Sequence, residues 1–178
     1  ANYFQHVPYL RDQEKALGEK FAVVATVHIE PLGIYSHKVK SLKDLPDGAQ
    51  VAVPNNVTNL SRALYLLQAN GLIKLKSSSA TTLVTVADIS ANPQHLKIIE
   101  VDAAQLPRAL DDAQLAIING NYALQAGLTP SKDALALEQA KDNPYANVLV
   151  TTPKLAHDPR IIELAKDLES KQTAEFIN

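Results

Sequence analysis

The chain has 178 residues, 46% hydrophobic and 20% charged, a balance that excludes a disordered chain and fits one domain or two small lobes. With 17 basic and 19 acidic side chains the net charge is −2, and no dense Lys/Arg cluster is present, which argues against a dominant nucleic-acid or anionic-membrane surface. Cysteine is absent, so disulfides, a thiolate nucleophile and cysteine metal sites are excluded, and no apolar run reaches the length of a membrane span.

In chain order, two aromatics and His6 open the sequence, and Pro8 suits the first turn of a helix running to about Lys20. Residues 21–29 predict a strand, and 33–36 a second extended piece after Pro31. Ser41 and Asp44 have capping-box spacing before a brief helical turn at 42–45, and Asp47-Gly48 is a turn. Residues 50–53 predict a strand that stops at Pro54. A loop of small polar residues follows, then a helix with apolar residues at 60, 63, 64 and 67 that ends at Asn70-Gly71. Residues 77–82 read as a surface loop. Thr85 and Asp88 are placed to cap a short helix stopping near Pro93. Strands are expected at 96–101, 113–118, 134–137 and 147–151, with helices at 104–110 and, after the stretch 119–122, one that ends at Gly127. A last amphipathic helix over 158–178 starts at the Asp158 cap with Pro159 at its first position. Strands alternating with helices predict an α/β fold.

The segment 54–64 carries the most chemistry. It puts a helix start, with its unpaired N–H groups, at the end of a strand, where an anion finds donors. Arg62 is read as lying in the first turn, where the helix dipole disfavours a cation, so it is expected to answer a negative charge such as a ligand carboxylate. A second polar loop, 119–122, also follows a strand. In open α/β sheets ligands collect beyond the carboxyl ends of strands, and amides hydrogen-bond a zwitterion without adding charge. That pairing favours binding of a small polar molecule over catalysis. Read singly, the same residues have structural explanations: Tyr3, Phe4 and Tyr9 as core aromatics, His6 and His28 as packing histidines, Asn119 as a helix cap.

Five motifs stand in order along the chain: Ala-Asn-Tyr-Phe-Gln-His-Val-Pro-Tyr-Leu at 1–10, Val-His-Ile-Glu-Pro-Leu-Gly at 27–33, Pro-Asn-x-x-x-Asn-x-x-Arg-Ala-Leu at 54–64, Ala-Gln-Leu-Pro-Arg at 104–108 and Ile-Asn-x-Asn-Tyr-Ala at 118–123. Together they resemble the methionine-binding lipoproteins of the NlpA family, the substrate-binding components of bacterial methionine importers. The resemblance implies a two-lobed periplasmic-binding-protein fold (type II), with residues 34–145 as one nearly complete lobe and 1–33 with 146–178 as the other, incomplete one. It implies capture of methionine, in the first place L-methionine, by lobe closure and delivery to an ABC transporter permease, without a cofactor. It also implies an extracytoplasmic location with a lipid anchor on a cysteine outside this sequence. Methionine is absent even at position 1, so a piece processed or truncated at both ends is expected; either the missing parts exist elsewhere, or a partner chain covers the exposed apolar surface in a domain-swapped dimer.

Residue by residue, the resemblance implies Arg62 for the ligand carboxylate, Asn59 sharing that contact one turn earlier, and Asn119 holding the head group from the opposite loop. It implies Tyr3, Phe4, His6 and Tyr9 as walls of the thioether pocket, with His28 closing it, because sulfur packs well against aromatic edges. Asn121 and Tyr122 are further candidates. The chain departs from the family pattern at Asn56-Val57, where many relatives carry Asp after Pro-Asn, and at Gly120 in the second loop. These departures bear on fine specificity, and the alternatives are another apolar amino acid or a short peptide.

No nucleophile elbow or metal-spaced histidine pair accompanies this pattern; the five histidines are scattered at 6, 28, 37, 95 and 157. An enzyme is therefore not expected. The competing reading is an amino-acid-sensing regulatory domain of the same fold.

Overall fold

The computed structural model describes residues 1–77, 82–140 and 143–177. In chain order the elements are β1 (Asn2–His6), α1 (Val7–Leu17), β2 (Ala22–Ile29), β3 (Gly33–Tyr35), β4 (Gln50–Pro54), α2 (Val57–Ala69), β5 (Lys74–Leu75), β6 (Ile89–Ala91), β7 (Lys97–Val101), α3 (Leu106–Ala109), β8 (Leu115–Ile118), α4 (Gly120–Gln125), α5 (Pro130–Asp133), β9 (Ala136–Leu137), β10 (Ala146–Thr151), α6 (Pro159–Leu168) and α7 (Lys171–Ile177). By contacts the chain divides into two units, Ala1–Glu30 with Ala140–Asn178, and Pro31–Gln139.

The unit formed by 31–139 is built on a five-stranded sheet in the order β7-β4-β8-β3-β9. β7, β4 and β8 run parallel, and β3 lies antiparallel to both β8 and β9. Both faces are covered, which is why β4 and β8 are almost wholly apolar and do not alternate with polar residues. Along each strand the side chains part by period two. Val51, Val53, Leu115, Ile117 and Ile34 pack with Leu60, Ala63, Leu64 and Leu67 of α2. Their neighbours Ala52, Ala116, Ile118 and Tyr35 pack on the other face with Leu106 of α3 and Ala123 of α4. Asn70-Gly71 closes α2 with Gly71 at φ 73° and hydrogen bonds from Gly71 N–H to Gln68 O and Leu72 N–H to Leu67 O, so that orphan carbonyls are satisfied.

In the other unit β10 is the centre of an antiparallel sheet in the order β1-β10-β2. Val148 and Val150 pack with Leu10 of α1 and with Phe21, whereas Leu149 packs with Ala25 and with Ala165 of α6. Buried Glu14 ties α1 to the strand after it, accepting the Phe21 N–H at 2.8 Å and an Arg11 N–H at 2.7 Å.

Several expected elements differ in detail. The helix expected over 158–178 is two helices. Asp158 caps α6 as expected, but the Ser170 N–H turns to Asp167 O at 3.2 Å and the Ser170 hydroxyl accepts the Thr173 N–H, so a serine competing for the backbone starts a new helix there. The Thr85–Asp88 capping box closes only one 3₁₀ turn, and the chain extends at once into β6, paired with β5; neither short strand was expected. Asp133 and Thr129 frame the single turn α5 where no helix was expected. The loop read over 77–82 falls largely on 78–81, outside the described residues.

Candidate functional site

β4 and β8 are parallel neighbours, pairing Val51 with Leu115 and Ala52 with Ala116, so their carboxyl ends lie on one edge of the sheet. The two polar loops therefore emerge side by side. Asn56 caps α2: its Oδ1 accepts the Asn59 N–H at 3.0 Å, and its carbonyl accepts the Leu60 N–H at 2.8 Å. This corrects two expectations. One first-turn donor of α2, the Asn59 N–H, is already used by the cap, and with Val57 as the first helical residue Arg62 lies in the second turn.

The negative charge that Arg62 answers within this unit is Glu138. Arg62 is 3% exposed, and its Nε lies 2.8 Å from each Glu138 carboxylate oxygen, with Nη2 also hydrogen-bonded to Oε2. Glu138 is anchored in turn. Its Oε2 accepts the Leu32 N–H at 3.3 Å, and its own N–H donates to the Leu32 carbonyl at 2.9 Å. Asn59, three residues before Arg62 on the same helix face, accepts a hydrogen bond from Asn119 Nδ2 at 3.4 Å. Asn119 precedes α4 but makes no side-chain cap there, and its Oδ1 is buried without a hydrogen-bond partner. A buried cation, its counter-ion and two amides, one with an unused acceptor, thus gather at the ends of two parallel strands. Asn121 is half-buried in the first turn of α4, and Tyr122 packs into the Tyr35 cluster.

In the unit holding β1, β2 and β10, the aromatic candidates fall into two sets. The Tyr3 hydroxyl is hydrogen-bonded to His28 Nδ1, their rings meet edge-on at 5.7 Å, and His28 Nε2 lies 3.5 Å from Glu30. Burial, and then the negative charge of Glu30, push the Tyr3 hydroxyl from 10.0 to about 12. His6 caps α1 through Nδ1, which accepts the Tyr9 N–H at 3.1 Å, and its ring meets Tyr145 at 5.0 Å and Tyr9 at 6.1 Å. Phe4 touches Tyr9 at 6.3 Å but is 62% exposed, and both line a cleft of about 370 Å³ with Leu10, Leu17, Phe21 and Val150. Tyr3 and His28 thus form one contact set, and Phe4, His6 and Tyr9 the other.

Two residues escaped the sequence. Asn147, buried in β10, is the register partner of His6 on β1 and of His28 on β2, which puts one amide between two imidazoles. Its signal was an asparagine at the head of an apolar strand. Glu138 was one acid among 19, and nothing in its spacing ties it to Arg62. Among the described residues no three His, Cys, Asp or Glu side chains are grouped to hold a metal ion, and no helix is long and apolar enough to cross a membrane.

The family model described as NlpA lipoprotein matches residues 1–178. The D-methionine-binding lipoprotein MetQ of Escherichia coli is 48% identical over 180 residues, covering 100% of this chain and 66% of the relative. Outer membrane lipoprotein 2 of Mannheimia haemolytica is 44% identical over 172 residues, 97% of this chain and 62% of the relative. The chain thus spans somewhat under two thirds of the length of these curated relatives, 62–66%. Among solved structures, a nutrient-binding protein of Burkholderia cenocepacia bound to methionine matches with a TM-score of 0.94 at 50% identity, over 99% of this chain and 73% of that one. A methionine-binding protein, MetQ, matches with a TM-score of 0.94 at 47% identity, over 99% of this chain and 72% of that one. The α/β fold class expected from the motifs, that of the two-lobed type II binding proteins, is borne out by these matches.

Proposed function

The chain belongs to the NlpA lipoprotein family, and from that premise we propose that it is the methionine-capturing component of a bacterial ABC importer. The observation that carries this reading is the group at the ends of β4 and β8: Arg62 buried beside Asn59 and Asn119, with an amide acceptor left unused. Such a group suits the head group of an amino-acid zwitterion, with Arg62 taking the carboxylate through charge-assisted bonds. The two amides add contacts to either charge without adding charge of their own. In the other unit, Tyr3, His6, Tyr9 and His28 offer the aromatic edges that a thioether favours, and Asn147 joins this group of candidates.

The relatives' names, a lipoprotein that binds D-methionine and a periplasmic substrate-binding protein of an ABC transporter, support a carrier over a sensing domain, and on this reading the chain is lipid-anchored outside the cytoplasmic membrane and hands its ligand to a permease. No chemical step on the ligand is part of this function. Both enantiomers remain candidates, because the relatives are named for D-methionine and one neighbour for methionine alone.

The test is calorimetric titration of the complete, ligand-stripped protein with L-methionine, D-methionine and L-leucine. Tight binding of a methionine enantiomer, with leucine at least roughly tenfold weaker, is expected, since one misfitting group in an apolar pocket is worth about 1–3 kcal/mol. Heat with leucine and none with methionine would redirect the reading to another apolar amino acid.

A further inference from the structure

The chain contains two Asn-Gly pairs, Asn70-Gly71 and Asn119-Gly120. In such a pair the glycine nitrogen can attack the asparagine side-chain carbonyl, because no Cβ on the glycine stands in its way. The new C–N bond closes a cyclic succinimide, and the amide nitrogen leaves as ammonia. Water then opens the ring on either side of the nitrogen, giving aspartate or isoaspartate. In sum, an amide and a water become a carboxylate and ammonium.

The fold treats the two pairs differently. Asn70 ends α2: its Nδ2 donates to Leu66 O at 2.8 Å, and the Gly71 N–H donates to Gln68 O at 2.9 Å. Both reacting groups are tied down, and freeing them breaks both hydrogen bonds. Asn119 stands before α4 in extended backbone, with φ −65° and ψ 145°, and its side chain does not cap that helix. Asn56, at the same position before α2, does cap, through Oδ1. Among the described residues the Asn119 amide is held by the 3.4 Å contact of Nδ2 with Asn59, and its Oδ1 has no hydrogen-bond partner. Gly120 is the first residue of α4, so its N–H has no acceptor inside the helix. Turning the 119–120 peptide towards the side chain breaks the backbone bond from the Ala123 N–H to Asn119 O, 3.0 Å long.

We propose that Asn119 is a site of spontaneous deamidation, and that its conversion weakens the binding site as the molecule ages. Both products replace the Nδ2 donor by a carboxylate facing Asn59 Oδ1, itself an acceptor, so the link between the two loops is lost. Isoaspartate also adds a methylene to the main chain between β8 and α4, which displaces the start of the helix. The loss of affinity rests on the reading that Asn119 touches the ligand head group; the chemistry at Asn119 does not.

The experiment ages the complete, ligand-stripped protein in warm, mildly alkaline buffer and follows each asparagine by peptide mass mapping, with isoaspartate counted by enzymatic methylation. Conversion at Asn119 is expected to run several-fold faster than at Asn70. The converted protein, separated by ion exchange, should bind methionine roughly tenfold more weakly than the fresh protein. Gly120→Ala puts a methyl group beside the attacking nitrogen and should slow conversion at Asn119. Should that variant not fold, the wild-type time course decides alone.

Asn119 intact while Asn70 converts, or the two converting at one rate, would overturn the proposal. Conversion at Asn119 with undiminished affinity would overturn its second half, and with it the contact between Asn119 and the ligand. Fresh protein that binds no methionine would sink the carrier reading and that second half together, while the two conversion rates would still decide the chemistry.

Discussion

Asn119 and Asn59 join the two polar loops directly: the Asn119 amide donates to Asn59 Oδ1 at 3.4 Å, while Asn119 Oδ1 stays buried and unpartnered. A long hydrogen bond and an unused acceptor contribute little to folding, yet both are what an incoming polar head group needs. Asn119→Ala removes the orphan acceptor along with one hydrogen bond, so its effect on stability should be small, within about 2–4 °C in thermal midpoint. Its effect on methionine affinity should be larger, roughly tenfold, the worth of about one hydrogen bond. Thermal unfolding and calorimetry on the same sample check both; a large fall in midpoint with unchanged affinity would assign Asn119 to folding alone.

Arg62→Ala acts on both counts. It leaves the Glu138 carboxylate without its guanidinium in a place where the arginine is 3% exposed. Removing one partner of a buried pair typically costs roughly 3–5 kcal/mol, and urea unfolding should show a loss of that order. Methionine binding should fall below detection in the same variant. Arg62→Lys should do better on stability than on affinity, because a point-like ammonium can pair with Glu138 but lacks the planar fork that suits a carboxylate.

Gly33 and Tyr35 set a tight limit on β3. A Cβ at position 33 would stand 2.6 Å from Cε2 of the Tyr35 ring, and Tyr35 is 1% exposed, with no room to retreat. Gly33→Ala should therefore destabilise by about 1–3 kcal/mol, the usual cost of overpacking. The Tyr35 hydroxyl is buried with no hydrogen-bond partner. Tyr35→Phe is accordingly expected to be neutral or stabilising, by up to about 1 kcal/mol. The urea midpoint should fall for Gly33→Ala and hold or rise for Tyr35→Phe; a fall for Tyr35→Phe or no change for Gly33→Ala would contradict the packing description.

Two phenols should ionise late. Burial, then the Glu30 charge, raises Tyr3 to about 12, and burial, then the Asp133 charge, raises Tyr35 to about 12. Because the folded values lie above the ordinary 10.0, the neutral phenols favour the folded state fully below pH 10, and that contribution is lost as pH rises towards about 12. Phenolate absorbance of the wild type minus that of Tyr35→Phe should isolate one titration with a midpoint near 12. The same subtraction with Tyr3→Phe should isolate the other, and a midpoint near 10 for either would contradict its burial.

The sequence was most legible where local and tertiary signals agree. The apolar run 51–53, the polar cap and the periodic apolar face of 60–67 located β4, its loop and α2, because a strand covered on both faces and a helix packed on it each leave a clear pattern. The side-by-side placement of the Asn59 and Asn119 loops followed once β4 and β8 were paired, which spacing alone does not specify. The break at Ser170 was hidden because the apolar positions on either side keep helical spacing while the backbone is diverted by one hydroxyl. Glu138 was hidden for a different reason. Its partner is 76 residues away, and a surface-type residue becomes half of a buried pair only through the β3–β9 pairing.

The order β1-β10-β2 also sets a timetable for synthesis. β1 and β2 emerge first but are not neighbours; each must wait for β10, and Gln5 reaches its acceptor, the Val148 carbonyl, across 143 positions of chain. The contiguous stretch 31–139 that fills the interval can close its own sheet meanwhile, with its last strand β9 returning beside its first, β3. At roughly 5–20 residues per second the wait is on the order of ten seconds. During it β1 and β2 lack the strand that pairs with both, and only when Thr151 has been added is β10 complete.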